Sequence, residues 1–544
     1  MNKRILTASL FLAATLTFLA VQPLDKNVYD TPHQEDTKVA VVVLDGADWK
    51  PVNQLREKDR VPNIESFIQE GVYGDLVSPT SFSPISWTKA ATGKSRENTS
   101  IQDWNTESDE GNRRMVRRED VSNKRIWDYL NQANKTAGVS SWLLTWPVEE
   151  VSGFMISGPL RTADHDLYYP EHGFNESEKE IIEEASEWEE ARMSMERKED
   201  VDFLALGMKN LDVIQHHLWK FVDPEPFEME EIEEDQEYRE VIYTEYEKLD
   251  EVLADFDEDW NVMVFGTSGF EAENKREGFP STTYALNVNP LIEELGYGNF
   301  TQETTRGTTL DNAESGTKAE RCPLEYPKND VINETTMQFR MCVLDDSLDI
   351  EQFKTDFKAV KYRDGTNLIK SMEYREETED IISYIRIDRE NIVEEDFREA
   401  PTNQPLVDDS MPYIDPALGL ELPDGRYTKL WIGPEKSGDH PPGTDSIFLA
   451  KGPAFEEGKQ LDEGTISMVD IAPTVLYMYG LPIPEQMDGR PVLELFREDF
   501  RNSREVQTED ISTHKNVTYL SEVDEQRDEV LSERLRDIGY MVRE

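Results

Sequence analysis

Short apolar runs that stop abruptly at small or polar residues recur along the chain. The first is "KVAVVVLDGADW", in which Lys38 to Leu44 give way to Asp45 and Gly46. "GVSSWLLTWP", "VDFLALGM" and "VMVFGTSGF" follow the same plan, and "DSIFLAKGPAF" returns to it late in the chain. Runs apolar at nearly every position, rather than at every second one, suit strands buried on both faces of a parallel sheet. Helical segments lie between them: one in "VPNIESFIQEGVYGDL", the acidic "ESEKEIIEEASEWEEARMSMERKED", and the long "EYREVIYTEYEKLDEVLADFD". Strands alternating with helices predict an α/β fold with a largely parallel central sheet and helices on both faces.

The alternation fades between Thr301 and Lys429, a charged stretch containing both cysteines, which reads as an inserted cap or subdomain. The α/β core is then expected over 38–300 and 430–500. Residues 501–544 form an acidic carboxyl-terminal segment in which "VLSERLRDIGYM" suggests a short amphipathic helix.

At the amino end, Lys3 and Arg4 precede the run Ile5 to Val21, interrupted only by Thr and Ser. A charged stretch before a long apolar one marks residues 1–24 as a signal peptide or an N-terminal anchor, followed by a polar linker over 25–37. The run is near the lower length for a spanning helix, so cleavage and membrane attachment through residues 5–21 are both open. In either case the body is expected to be exported. A single disulfide between Cys322 and Cys342 fits an exported chain, because no zinc-module spacing surrounds them. Six glycosylation sequons, at Asn98, Asn134, Asn175, Asn299, Asn333 and Asn516, fit it too.

Charge narrows the partners. Among 544 residues, 113 Asp and Glu outnumber 57 Lys and Arg, for a formal net charge of -56. Such a surface repels duplex nucleic acid and anionic lipid. With 37% hydrophobic and 10% aromatic residues, wholesale disorder is excluded. The charge is spread along the chain rather than gathered in a tail, which reads as a halophile's surface. Molar salt shrinks the Debye length to about 3 Å and screens the self-repulsion. An ordinary acidic exported protein is the alternative.

Four segments offer chemistry. Asp45 ends the most apolar strand, next to a glycine that permits close approach. In "LDVIQHHLW", Asp212 and His216 are four apart, so that carboxylate and imidazole share one face of a helical turn, while His217 points elsewhere. Oxygen and nitrogen donors together suit zinc or manganese. His440 lies in the Gly- and Pro-rich loop "SGDHPPGTD" just before a strand. Ser83, in "SFSPISWTKAATG", precedes a predicted helix, whose amides and dipole favour an anion there. Each alone has an ordinary reading as a turn aspartate, a surface Asp–His pair, a loop histidine or a capping serine.

Taken in order, these segments resemble the alkaline phosphatase superfamily, in particular its type I phosphodiesterase/nucleotide pyrophosphatase branch and the phosphohydrolase/phosphomutase relatives. The blocks include the Asp45 strand, the loop ending in Thr92-Gly93, "WPVEEVSGFMISG", Asp212 to Trp219, "HPPGTDSIFLAKGP" and "DIAPTVLYMYGLPIPEQMDGRPV". The resemblance implies Ser83 as nucleophile and a first metal site from Asp212, His216 and His440. It implies a second site using Asp45, the nucleophile's oxygen and an Asp-His pair in a Ser-Asp-His-Gly turn.

Here the chain departs from the pattern. The turn reads Gly266-Thr267-Ser268-Gly269, so Thr267 and Ser268 stand where relatives carry ligands. Neutral hydroxyls replace a carboxylate and an imidazole poorly, and Glu271 and Glu273 are the nearest carboxylates along the chain. Thr99-Ser100 stands where relatives commonly have His-Gly. The sulfatase pattern of Cys or Ser, any residue, then Pro-Ser-Arg is replaced by Ser83-Pro84-Ile85-Ser86-Trp87.

Two functions follow. One is a metal-dependent hydrolase or transferase acting on a phosphate mono- or diester of a small molecule, nucleotide, lipid or glycan. It would form a phosphoseryl intermediate and hold one zinc or manganese ion firmly rather than two. The other is a degenerate relative that binds a ligand or partner without turnover.

Overall fold

The computed structural model describes residues 37–78, 82–107, 113–159, 166–184, 186–227 and 235–272, short pieces between 291 and 431, and residues 437–441 and 443–515. The expected signal or anchor, Cys322, Glu273 and the helix expected near the carboxyl terminus lie outside the described residues. Among the described residues no helix is long and apolar enough to cross a membrane.

A ten-stranded sheet organises the core. Its strands are β1 (Lys38–Leu44), β2 (Val72–Val77), β3 (Ala137–Trp142), β4 (Gly153–Ser157), β5 (Tyr168–Tyr169), β6 (Phe203–Met208), β7 (Trp260–Phe265), β8 (Ser446–Lys451), β9 (Lys459–Gln460) and β10 (Ile466–Ser467). The spatial order is β9-β2-β8-β7-β1-β6-β3-β4-β5, with β10 also on β2. Strands β7, β1, β6, β3 and β4 are mutually parallel, as the apolar runs predict. Strand β8 runs against both its neighbours, and β5 against β4.

β1 shows why every position of these strands is apolar. Val39, Val41 and Val43 enter one core with Ile85, Leu130 and Val475, whereas Ala40, Val42 and Leu44 enter the other with Val52, Ile64, Leu211 and Leu249. A strand covered on both faces has no solvent side on which to place polar residues. The first face is covered by α3 (Ser83–Thr92), α4 (Ile126–Gln132) and α9 (Ile471–Met478). The second is covered by α1 (Trp49–Arg56), α2 (Pro62–Glu70), α6 (Glu187–Glu196), α7 (Asn210–Val222) and α8 (Asp235–Ala254). The acidic helical segment is two helices, α5 (Glu176–Glu184) and α6. Ser186 and Glu189 form a capping box that starts the second helix.

Within the segment read as an insertion, the described strands from Thr308–Leu310 to Tyr427–Trp431 pair among themselves in two sheets. None of these described strands joins the central sheet.

Candidate metal centre

Strand register decides which residues meet at the carboxyl edge of the sheet. Leu44 pairs with Met208, and Val43 pairs with Phe265. The residues that emerge just beyond β1, β6 and β7 are therefore neighbours: Asp45, Lys209 and Thr267. The Asp45 amide donates to the Met208 carbonyl at 2.7 Å, which locks the first two strand ends together. Asp45 is 1% exposed, and both its oxygens are engaged. Oδ2 lies 3.1 Å from the Lys209 ammonium, and Oδ1 accepts from the Thr267 hydroxyl. Lys209 is itself buried, 3.5 Å from Asp212 Oδ2 and 5.3 Å over the Trp104 ring. Gly46, at φ +75°, brings the end of β1 against α7. A Cβ there would stand 3.1 Å from Asp212 Oδ1 and 2.7 Å from the Phe270 ring, so both backbone and space call for glycine.

The expected i, i+4 pair lies on α7, with Asp212 and His216 directed to the interior. His440 arrives from the loop before β8. All three are buried, and one ligand atom from each lies within 4.8 Å of the others. His440 Nε2 is 3.2 Å and His216 Nε2 3.7 Å from Asp212 Oδ1. His216 Nδ1 lies 2.8 Å from the Gly438 carbonyl. A carbonyl only accepts, so Nδ1 carries the proton and Nε2 keeps its lone pair on the Asp212 side. The same loop is fastened to α7 by the Ser437 amide, which donates to the His216 carbonyl at 2.7 Å. Gly438 permits this contact, since a Cβ would fall 2.6 Å from that of Trp219. Phe270 packs against both imidazoles, with ring centroids 5.1 and 5.4 Å away.

Neither carboxylate oxygen of Asp212 accepts a hydrogen bond, although both are buried. A buried acceptor left in that state costs about 1–3 kcal/mol, more when charged. A carboxylate and two imidazoles converging with such atoms fit a divalent cation. The second position does not. Asp45 lies outside the trio, its oxygens are taken by Lys209 and Thr267, and the Ser268 side chain is buried without adding a carboxylate or an imidazole. Glu271 is exposed on a short strand pairing with Asp439 and offers no replacement ligand.

Ser83 is the first residue of α3 and is 3% exposed. It stands on the same sheet edge: β2 leads into this helix, and Trp87, one turn on, packs over Gly207 near the end of β6. The Ser78 hydroxyl at the end of β2 donates to the Thr267 carbonyl. The helix end is poorer in donors than its sequence suggests. The Ile85 and Ser86 amides both donate to the Phe82 carbonyl, and Pro84 has none.

Lys209, Phe270 and Glu187 escape sequence reasoning. Glu187, the first residue of α6, turns its carboxylate to the start of α7, where it accepts from the Lys209 amide at 2.7 Å and the Asn210 amide at 3.0 Å. Burial, reinforced by the Glu245 carboxylate, pushes Glu187 up to about 8 despite those amides. The available signal for Lys209 was its place as the first charge after the wholly apolar "FLALGM", in line with Asp45 across the sheet.

A buried Asp–His–His trio at the carboxyl edge of a parallel sheet is the geometry of a metal-assisted hydrolase site. Sequence comparison is more specific: the type I phosphodiesterase/nucleotide pyrophosphatase model matches residues 39–376, more than half the chain. The chain belongs to that family of phosphoester hydrolases. Similar solved structures include murine ectonucleotide pyrophosphatase/phosphodiesterase 5 in complex with AMP, 12% identical, covering 85% of this chain and 100% of that one at a TM-score of 0.41. Phosphonoacetate hydrolase from Sinorhizobium meliloti, in complex with phosphonoformate, is 14% identical over 81% of this chain and 95% of that one, at a TM-score of 0.39. A stretch of 48 residues is 46% identical to the extracellular sulfatase SULF-1 homolog of Drosophila melanogaster. It spans 9% of this chain and 4% of that relative.

Proposed function

We propose that the chain hydrolyses or transfers a phosphate mono- or diester of a small molecule through Ser83, with one zinc or manganese ion held by Asp212, His216 and His440. The observation that carries this reading is the buried trio, with ligand atoms within 4.8 Å and an Asp212 carboxylate that accepts no hydrogen bond. Such an ion, when bound, supplies Lewis acidity that draws charge from a phosphoryl oxygen and eases ionisation of water. The chain's own groups do the remaining work. The Gly438 carbonyl fixes the His216 ring, and the loop clamped on α7 carries His440 to its place. Phe270 closes the apolar side of both rings and keeps water from them. Ser83 attacks phosphorus in line, the ester oxygen departs on the opposite side, and water then cleaves the phosphoseryl ester. The serine gives up its proton on attack and regains it at that cleavage.

The acidic surface favours a small phosphoester, whether nucleotide, lipid headgroup or glycan, over duplex nucleic acid. Residues 1–24 support export, either secreted or anchored through residues 5–21, from a cell living in high salt. Turnover of bis-p-nitrophenyl phosphate and p-nitrophenyl phosphate at high salt, with added Zn²⁺ or Mn²⁺, tests the reading. Activity above that of Ser83→Ala is expected; none above it removes the serine mechanism.

A further inference from the structure

We infer that Lys209 is a built-in cation that takes the place of a second metal ion, so that the centre works with one divalent ion and one ammonium. This rests on the reading above and concerns the half of the site where the ligands do not fit a metal. Three observations place the ammonium there. Register sets Lys209 beside Asp45 at the ends of adjacent parallel strands. Its Nζ lies 3.1 Å from Asp45 and 3.5 Å from Asp212, bridging the strand-one carboxylate and the first-site carboxylate. The group is buried, with Trp104 across it at 5.3 Å, so the charge is not a solvated surface lysine that happens to point inward.

The substitutions are matched in charge. Where relatives present a carboxylate, Thr267 is neutral and donates its hydroxyl to Asp45 instead of coordinating. Without a second divalent ion this half lacks two positive charges; a neutral residue at 267 in place of a carboxylate makes up one, and the Lys209 ammonium supplies the other. A phosphoryl oxygen or a Ser83 alkoxide entering this edge meets a fixed positive charge without a second ion. An ammonium also needs no loading, and its three N–H donors aim at oxygen. Lys209 and a second ion are mutually exclusive, because both require the Asp45 oxygens.

Calorimetric titration of the metal-stripped, full-length chain with Zn²⁺ tests this directly. Wild type should take up one equivalent, and Thr267→Asp with Ser268→His should still take up one. Adding Lys209→Ala to that pair should open the site to a second equivalent. Two tightly held ions in the wild type, or in the double variant with Lys209 intact, would overturn the inference. Titration with inorganic phosphate in the presence of Zn²⁺ gives an independent readout in the event that the triple variant does not fold. Lys209→Ala alone should keep its single ion and lose at least tenfold in phosphate affinity; unchanged affinity overturns the inference as well. A wild type that takes up no ion counts against the metal centre itself, and phosphate binding alone then decides the role of Lys209.

Discussion

The two halves of this edge are built on the same strands and solve opposite problems. Around Asp212, buried donors converge and the carboxylate is left without a hydrogen bond, so the half is complete only with a cation. Around Asp45, the carboxylate is already matched by an ammonium and a hydroxyl, so that half is complete in the protein alone. A carboxylate at a strand end is therefore not by itself a metal ligand. What its neighbours on the flanking strands contribute decides whether it waits for an ion or already holds a charge.

The sharpest break comes at the cation-requiring half. Lewis-acid stabilisation of several kcal/mol corresponds to roughly a thousandfold in rate. His216→Ala and His440→Ala should each abolish tight metal uptake and lower phosphodiester turnover by about that factor, read by elemental analysis and steady-state kinetics. Uptake that survives both changes would place the ion elsewhere.

Next in size is stability without metal, where the halves should respond unequally. Asp45→Asn strips a buried ammonium of its nearer partner and should cost about 3 kcal/mol in metal-free urea unfolding. Asp212→Asn relieves a buried carboxylate that accepts no hydrogen bond but also removes the farther partner of Lys209, 3.5 Å away, so it should cost less than Asp45→Asn, about 1 kcal/mol. Equal losses would erase the distinction. Gly438→Ala, which pushes the His440 loop away from α7, should weaken metal affinity by roughly 10- to 100-fold, the range for groups that orient ligands.

The smallest effect concerns Glu187 beneath Lys209. Its pKa is raised in the fold from 4.5 to about 8, so the native state keeps a proton that the unfolded chain releases over that window. Stability is accordingly lost as pH rises from 4.5 towards 8 and levels off above it. Glu187→Gln mimics the protonated form, so its Tm should match the wild type near pH 4.5 and exceed it by a few degrees at pH 8. A gap independent of pH would mean that Glu187 is ionised in the fold.

Much of this was legible before the structure. Continuous apolar runs marked the parallel strands because a strand covered on both faces leaves no polar register, and the Asp212–His216 spacing needed only helical geometry. His440 depended on resemblance, since a lone loop histidine has no periodicity to betray it. Lys209 stayed hidden because its meaning is not local: it follows from alignment with Asp45 across two strands separated by more than a hundred and fifty residues of chain. Gly438 and Phe270 are of the same kind. The antiparallel direction of β8 was equally unreadable, because an apolar run carries no sign of which way it will be laid.

That strand has a consequence for biogenesis. Among the described residues every sheet neighbour of β2 (β8, β9 and β10) is supplied by residues beyond 445, although β2 itself spans Val72–Val77. While the polypeptide is still emerging, the edges of β2 and β7 stay unpaired. Both strands wait for residues 446–467 before their edges are covered, and translation must pass residue 440 before a chelating trio exists to capture an ion.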